Sequence, residues 1–215
     1  MKNFIIESKD GQKYWISRSC AVAAFIFVYD KNKNDYFVLA NKRGPGTPNF
    51  QGYWNCPCGY IDFDEDAPTA AKREVFEETG YVIDKNKLVM VGVNSDPNQV
   101  NQNITIRYYA LLDDYPVCKP SIGGEKDEVD DVKWISINQI NNYEWAFEHN
   151  EIIKSIYLNI INNQIVNDLN IIKDGLIKAD SAINSNDGFT NDLYESLEKG
   201  IKTVLALIKR FSNIK

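Results

Sequence analysis

The chain has 215 residues, 44% hydrophobic and 25% charged, a globular balance and a length sufficient to bury a full core. Its net charge of −6 argues against the basic face of a nucleic-acid scaffold, and no apolar run approaches the roughly 20 residues that span a bilayer. The N-terminal run Phe4-Ile5-Ile6 is too short for a signal peptide, and Cys20, Cys56, Cys58 and Cys118 fit no zinc spacing. The expectation is a cytoplasmic protein with free thiols, bound to neither membrane nor nucleic acid.

In chain order, Phe4–Ser8 and Tyr14–Arg18 flank Asp10-Gly11, a hairpin signal that predicts an N-terminal hairpin over residues 1–18. Ala21–Tyr29 and Tyr36–Lys42 are apolar, β-rich runs joined by a polar turn. Gly44-Pro45-Gly46-Thr47-Pro48 reads as a loop. Asp66 suits a helix N-cap, Pro68 the first turn, and Gly80 the left-handed position after the last turn. Lys87–Val93, Ile104–Leu112 and Val129–Ile137 predict three further strands, followed by a helix from about Asn138. Beyond residue 161, Ile165, Leu169, Ile172, Leu176, Ala179 and Ile183 recur at helical spacing. Leu193, Leu197, Ile201, Val204, Ile208 and Phe211 do the same after a break at Ser185–Gly188. A C-terminal helical hairpin over 162–215 is expected, packing on its own domain or building a homodimer.

The helix between Asp66 and Gly80 carries Glu74, Glu77 and Glu78 within little more than one turn. Positions three and four apart share a face, and like charges there each cost a helix roughly 0.2–0.5 kcal/mol. A hard divalent cation offsets that repulsion because it prefers carboxylate oxygens. Arg73 stands four before Glu77 and can pair with it, while Glu65, just upstream, can reach Arg73 or the ion.

The stretch from Gly59 to Tyr81 resembles the Nudix box, G-x5-E-x7-R-E-U-x-E-E-x-G-U, where U is a bulky aliphatic residue. Gly59, Glu65, Arg73, Glu74, Val75, Glu77, Glu78 and Gly80 match, and Tyr81 departs at the last U. The approach Trp54-Asn55-Cys56-Pro57-Cys58-Gly59 is similar to the family's W-x-x-P-G-G, with Cys58 where glycine is usual. The resemblance runs from about residue 19 to 160. It implies an α/β fold, an α/β/α sandwich with a mixed sheet, and so a Nudix hydrolase domain over 1–161 with 162–215 as an extension.

The resemblance also implies roles. Glu74 and Glu78 are the first-choice magnesium ligands, with manganese as a substitute; Glu77 is a third ligand or a base, and Cys58 supplies a backbone carbonyl. Arg73 and Glu65 orient the glutamates, and Gly59 and Gly80 are structural. Glu128 and Glu125, on an acidic segment before the Trp134 strand, are the later candidates for general base. His149 reads as a capping or packing residue. Arg43 and Phe50 are candidate substrate contacts.

Pro97, 16 residues after Tyr81, is similar to a feature of the ADP-ribose pyrophosphatase subgroup, although it can equally just end a strand. The amide-rich loop Asn94–Asn103 offers hydrogen bonds to sugar hydroxyls. The expected reaction is magnesium-dependent hydrolysis of a nucleoside diphosphate linked to X, with ADP-ribose favoured. A nucleoside triphosphate or sugar nucleotide is the alternative substrate. A non-catalytic, nucleotide-sensing protein is the alternative of another class.

Overall fold

Two apolar runs form the centre of a sheet whose middle strand is buried on both faces, as a covered sheet requires. β1 (Phe4–Glu7) and β2 (Lys13–Ile16) form the expected separate hairpin, turning at Gly11 with φ +82°. β3 (Cys20–Asp30) pairs antiparallel with β4 (Asp35–Arg43), Phe27 opposite Val38. The computed structural model describes residues 2–99, 103–116, 127–185 and 191–212. Glu125, Cys118, Asn101, Gln102 and the break at 186–188 lie outside them.

Two short strands follow, β5 (Trp54–Asn55) and β6 (Cys58–Tyr60), then α1 (Ala67–Thr79), β7 (Val89–Asn94), β8 (Ile104–Leu112) and β9 (Val129–Ser136). The main sheet runs β5-β4-β3-β8-β7, with β6 added on β3 and β9 on β4. β3 and β8 are parallel, from Cys20 beside Ile104 to Val28 beside Leu112; the other pairs are antiparallel. The sheet is therefore mixed.

One face of β3, carrying Val22, Ala24, Ile26 and Val28, packs with Leu39, Tyr108 and Ala110 against Ala70, Ala71 and Val75 of α1. The opposite face turns Phe25 toward His149, with ring centroids 5.2 Å apart. Helices thus flank both faces, the α/β sandwich expected.

The chain divides into two compact units, Met1–Ile153 and Lys154–Lys215. The boundary read from the sequence at 161/162 falls instead inside α2 (His149–Ser185). The helix expected from Asn138 is a short 3-10 turn, Ile137–Asn142, whose Asn138 N–H is capped by Ser136 Oγ. The chain then extends to Trp145, and Phe147 and Glu148 take left-handed φ of +58° and +57°. Two consecutive left-handed residues interrupt a right-handed helix, so α2 begins only at His149.

In the second unit, α2 and α3 (Asn191–Ser212) form the C-terminal helix pair. They approach through small residues: a Cβ on Gly175 would lie 3.4 Å from Ser196 O, and one on Gly200 would lie 3.9 Å from Ile172 Cα. The expected apolar ridge is covered in part: Ile165 and Ile172 are half-buried and Ala179 is buried. Leu169 and Leu176, on the same expected ridge, are instead 54% and 58% exposed.

Candidate active site

Asp66 caps α1 with an extended backbone, its carboxylate accepting from Thr69 N–H at 2.9 Å, and Gly80 ends the helix at φ +71° with its N–H on Phe76 O. Between these caps one face of α1 lies against the core and the next turns Glu74 and Glu78 toward β6. Both carboxylate residues are only 9% exposed.

Burial dominates their electrostatics. It pushes the Glu74 carboxyl up to about 7, although the neighbouring Arg73 pulls the other way. Burial and the charge of Glu74 raise Glu78 well above the ordinary carboxylate range, against a single hydrogen bond from Cys58 N–H at 3.1 Å. Two adjacent buried acids, raised by burial despite Arg73 beside Glu74 and Arg43 near Glu78, form an oxygen donor set that suits a hard divalent cation.

Arg73 orders the rest of the cluster. Its Nη1 donates to Glu74 Oε1 at 2.8 Å and to Glu77 Oε2 at 2.9 Å. Its Nη2 and Nε hold Glu65 in a fork at 2.8 and 3.2 Å, and Nη2 also donates to Tyr60 O. The Arg73 bonds hold the Glu65 carboxyl below its usual value. Glu65 oxygen in turn accepts from Asp62 N–H at 2.8 Å, which pins the loop ahead of α1.

Glu77 is thus turned onto Arg73. Among the described residues no three His, Cys, Asp or Glu side chains converge into a ready-made cage. Magnesium is commonly held by one or two carboxylates plus substrate phosphates, so a buried pair is a sufficient protein share.

Gly59 has a sharper reason than turn geometry. A Cβ there would lie 2.2 Å from Glu74 Oε1 and 2.4 Å from its carboxyl carbon. Only a bare Cα leaves the Glu74 carboxylate its place. Cys58 adjoins the pair through its backbone, while burial and Glu78 raise its thiol and Asn55 Nδ2 donates to that sulfur at 3.3 Å. The thiol stays protonated, which leaves the carbonyl as its candidate ligand atom.

Arg43 closes β4 beside the acids, near enough for its charge to lower Glu78 and Cys58. Its guanidinium bonds Asn49 twice at 3.0 Å and lies 5.0 Å from the Phe147 ring centroid. Phe50, in a left-handed conformation at the rim, sets its ring edge-on to Phe147 at 5.0 Å. Phe147 was not legible as a partner of Arg43, since nothing in sequence marks its left-handed backbone. Glu128 sits where its charge raises both Glu74 and Glu78.

His149 is buried, and its Nδ1 accepts from Cys56 N–H at 3.0 Å. Burial, Arg107 and Arg43 depress its imidazole to about 3. A neutral imidazole accepting at Nδ1 carries its proton on Nε2 and acts here as a brace.

Pro97 is exposed in a turn after β7, where Asp96 accepts from Asn98 N–H and Asn94 Oδ1 accepts from Asp96 N–H. Arg18 ties both ends of that loop, donating to Ser95 O at 2.8 Å and Asn103 O at 3.0 Å. Asn103 in turn donates to Tyr60 OH at 3.4 Å, so one end of the amide-rich loop borders the strand that carries Gly59.

The family model for the NUDIX domain matches residues 20–156. The chain belongs to the Nudix family. Its enzyme class follows: a pyrophosphohydrolase. A curated relative, the ADP-ribose pyrophosphatase of Methanocaldococcus jannaschii, is 32% identical over 151 residues, covering 70% of this chain and 80% of its own. The Nudix domain of Shewanella oneidensis NrtR, solved with ADP ribose, superposes with a TM-score of 0.57 at 25% identity, over 67% of this chain and 90% of that one. The same protein solved with a 27-mer DNA gives 0.52 at 25% identity, over 67% of this chain and 63% of that one. A MutT/Nudix protein of Enterococcus faecalis, at 21% identity and a TM-score of 0.58 over 69% and 64%, supports the fold alone.

Proposed function

We propose that this Nudix enzyme hydrolyses the diphosphate of ADP-ribose to AMP and a sugar phosphate, with magnesium, or manganese in its place. The observation that carries the reaction is the pair Glu74 and Glu78, two adjacent buried acids of which only Glu74 is in a salt bridge with Arg73 in this cluster. The substrate preference rests on the 32% identical relative and on the solved Nudix domain with ADP ribose.

Glu74 and Glu78, with the Cys58 carbonyl, would hold the metal. Bound there, magnesium would offset phosphate charge and acidify the attacking water. Arg73 keeps Glu74 and Glu77 oriented, and Glu65 keeps Arg73 oriented. Glu128, whose charge reaches both Glu74 and Glu78 and whose carbonyl accepts from Gly44 N–H, is the proton acceptor, taking the water proton at a carboxylate oxygen. Arg43 supplies positive charge to the phosphates, and the Phe50 rim stacks on a base. The loop after β7, with Pro97, bounds the terminal ribose.

A panel of ADP-ribose, NADH, dinucleoside polyphosphates, sugar nucleotides and nucleoside triphosphates, with and without magnesium, tests this reading. ADP-ribose turned over no faster than triphosphates would refute the substrate while leaving the hydrolase. A second reading, a nucleotide-sensing regulator, is favoured by the likeness to NrtR with DNA; the complete set of box glutamates and the net charge of −6 oppose it. Magnesium-dependent release of AMP decides between the two.

We also propose a homodimer, because Ile201 and Leu205 of α3 are both 60% exposed. Sedimentation as a monomer would refute it. The free thiols of Cys20, Cys56 and Cys58 support a cytoplasmic location.

A further inference from the structure

β4 and β9 pair in register until Lys42 faces Asp131; the next pair is Arg43 with Val129, so Asp130 is an extra residue. Lys42 Nζ holds that bulged residue at 3.0 Å from Asp130 Oδ2. A bulge bends its strand and re-aims the side chains beyond it, and the next residue outward is Glu128.

The chain ahead of the bulge is clasped by the end of β4. Gly44 N–H donates to Glu128 O at 2.6 Å, and Gly46 N–H donates to Asp127 O at 2.8 Å. Asp127 itself is left-handed, at φ +65°. The approach is so close that a Cβ on Gly44 would lie 2.2 Å from Asp127 O and 3.0 Å from Glu128 C. Both are backbone atoms, so no side-chain rotation relieves the clash. Thr47 closes the clasp from inside, its Oγ1 donating to Gly44 O at 2.8 Å while the residue is 5% exposed. The turn is held on its other flank too, because Gly52 N–H donates to Arg43 O and Arg43 N–H to Tyr53 O, both at 2.8 Å.

We propose that Gly44 is a positioning residue of the active site: its bare Cα seats the Asp127–Glu128 peptide on the end of β4 and thereby sets the Glu128 carboxylate against the Glu74–Glu78 pair. The inference rests on the reading of Glu128 as proton acceptor given above. The glycine touches neither substrate nor metal and acts through the peptide it admits. Arg43, one residue earlier, has its guanidinium anchored separately on Asn49, so its place does not depend on that peptide.

The test is steady-state hydrolysis of ADP-ribose by the full chain carrying Gly44→Ala, Glu128→Gln, both together, or Gly92→Ala. A Cβ on Gly92 meets nothing within 4 Å, so that variant measures the generic effect of replacing a strand glycine. A general base contributes about 10²- to 10⁴-fold, and a displacement near 1 Å costs about 10²-fold. Gly44→Ala is expected to lose about a hundredfold in kcat with KM little changed, and Gly92→Ala to keep the parent rate.

The double variant should be no slower than Glu128→Gln alone, because a base already removed cannot be misplaced. Parent-like kcat in folded Gly44→Ala, or losses that multiply in the double variant, would overturn the proposal. If Gly44→Ala does not fold, Thr47→Val takes its place, removing one hydrogen bond of the clasp for a loss of about threefold to tenfold that must again vanish in the Glu128→Gln background. No turnover by the parent chain on any substrate of the panel would instead refute the hydrolase reading, and the positioning role with it.

Discussion

Neutralising Glu74 should make the chelated protein more stable, by an amount that depends on pH. The carboxyl is raised from 4.5 to about 7 in the folded chain, mainly by burial. Between those values the folded state binds more protons than the unfolded one, so this group's contribution is intact below pH 4.5 and is lost as pH rises toward 7. Glu74→Gln cannot ionise and keeps an amide oxygen for Arg73. With about 1.4 kcal/mol per tenfold change, the variant should exceed the parent by about 1 to 2 kcal/mol at pH 5.5 and by about twice that at pH 8.5.

Urea unfolding in EDTA at three or four pH values measures this; titrations remote from the site cancel between the two chains, while Glu78, relieved of the Glu74 charge, adds to the gain. Excess magnesium should narrow or reverse the gap, since a ligand at a hundred times its Kd adds about 2.7 kcal/mol to the parent that binds it. A midpoint difference that stays flat from pH 5.5 to 8.5 would refute the claim that burial charges this site with stored repulsion.

Glu78→Gln should fold normally and lose about a hundredfold or more in kcat/KM, read by AMP release at saturating magnesium. Gly59→Ala should unfold near the parent temperature, because the clash is with a side-chain end, yet lose about 10- to 100-fold in metal affinity, with added magnesium restoring part of the rate. The His149 imidazole should stay neutral from pH 5 to 8 by NMR; because its folded value is depressed to about 3, its contribution to stability is full above pH 6.5 and falls as pH drops toward 3. A histidine signal titrating near 6.5 would remove the buried brace.

What the sequence revealed was mostly local. Asp66, Pro68 and Gly80 announce the limits of α1 because caps act within one turn, and Asp10-Gly11 announces its hairpin for the same reason. β5 and β6, two and three residues long, are too short to display a period. The parallel pairing of β3 with β8 joins Cys20 to Ile104, and no local pattern encodes such a distance. The identity of the box acids was legible, but not that Gly59 makes room for Glu74 or that Phe147 underlies Arg43. Those depend on which backbones meet and on left-handed residues without glycine. In the C-terminal helices the spacing marked Ile165, Ile172 and Ala179, which are covered, and also Leu169 and Leu176, which are exposed; the close approaches at Gly175 and Gly200 carry no apolar signal to read.

The fork of Arg73 bears on how the proposed metal site would behave with no ion bound. In a small zinc domain the ion is the only cation its ligands have, and its removal unfolds the chain. Here a covalently tethered guanidinium already bonds Glu65, Glu74 and Glu77, and a backbone N–H bonds Glu78. The acids therefore keep their arrangement with the ion gone. Under the proposed function, occupancy by a divalent cation would rise and fall with its concentration, and with the arrival of a diphosphate that brings its own ion, without the fold being rebuilt each time.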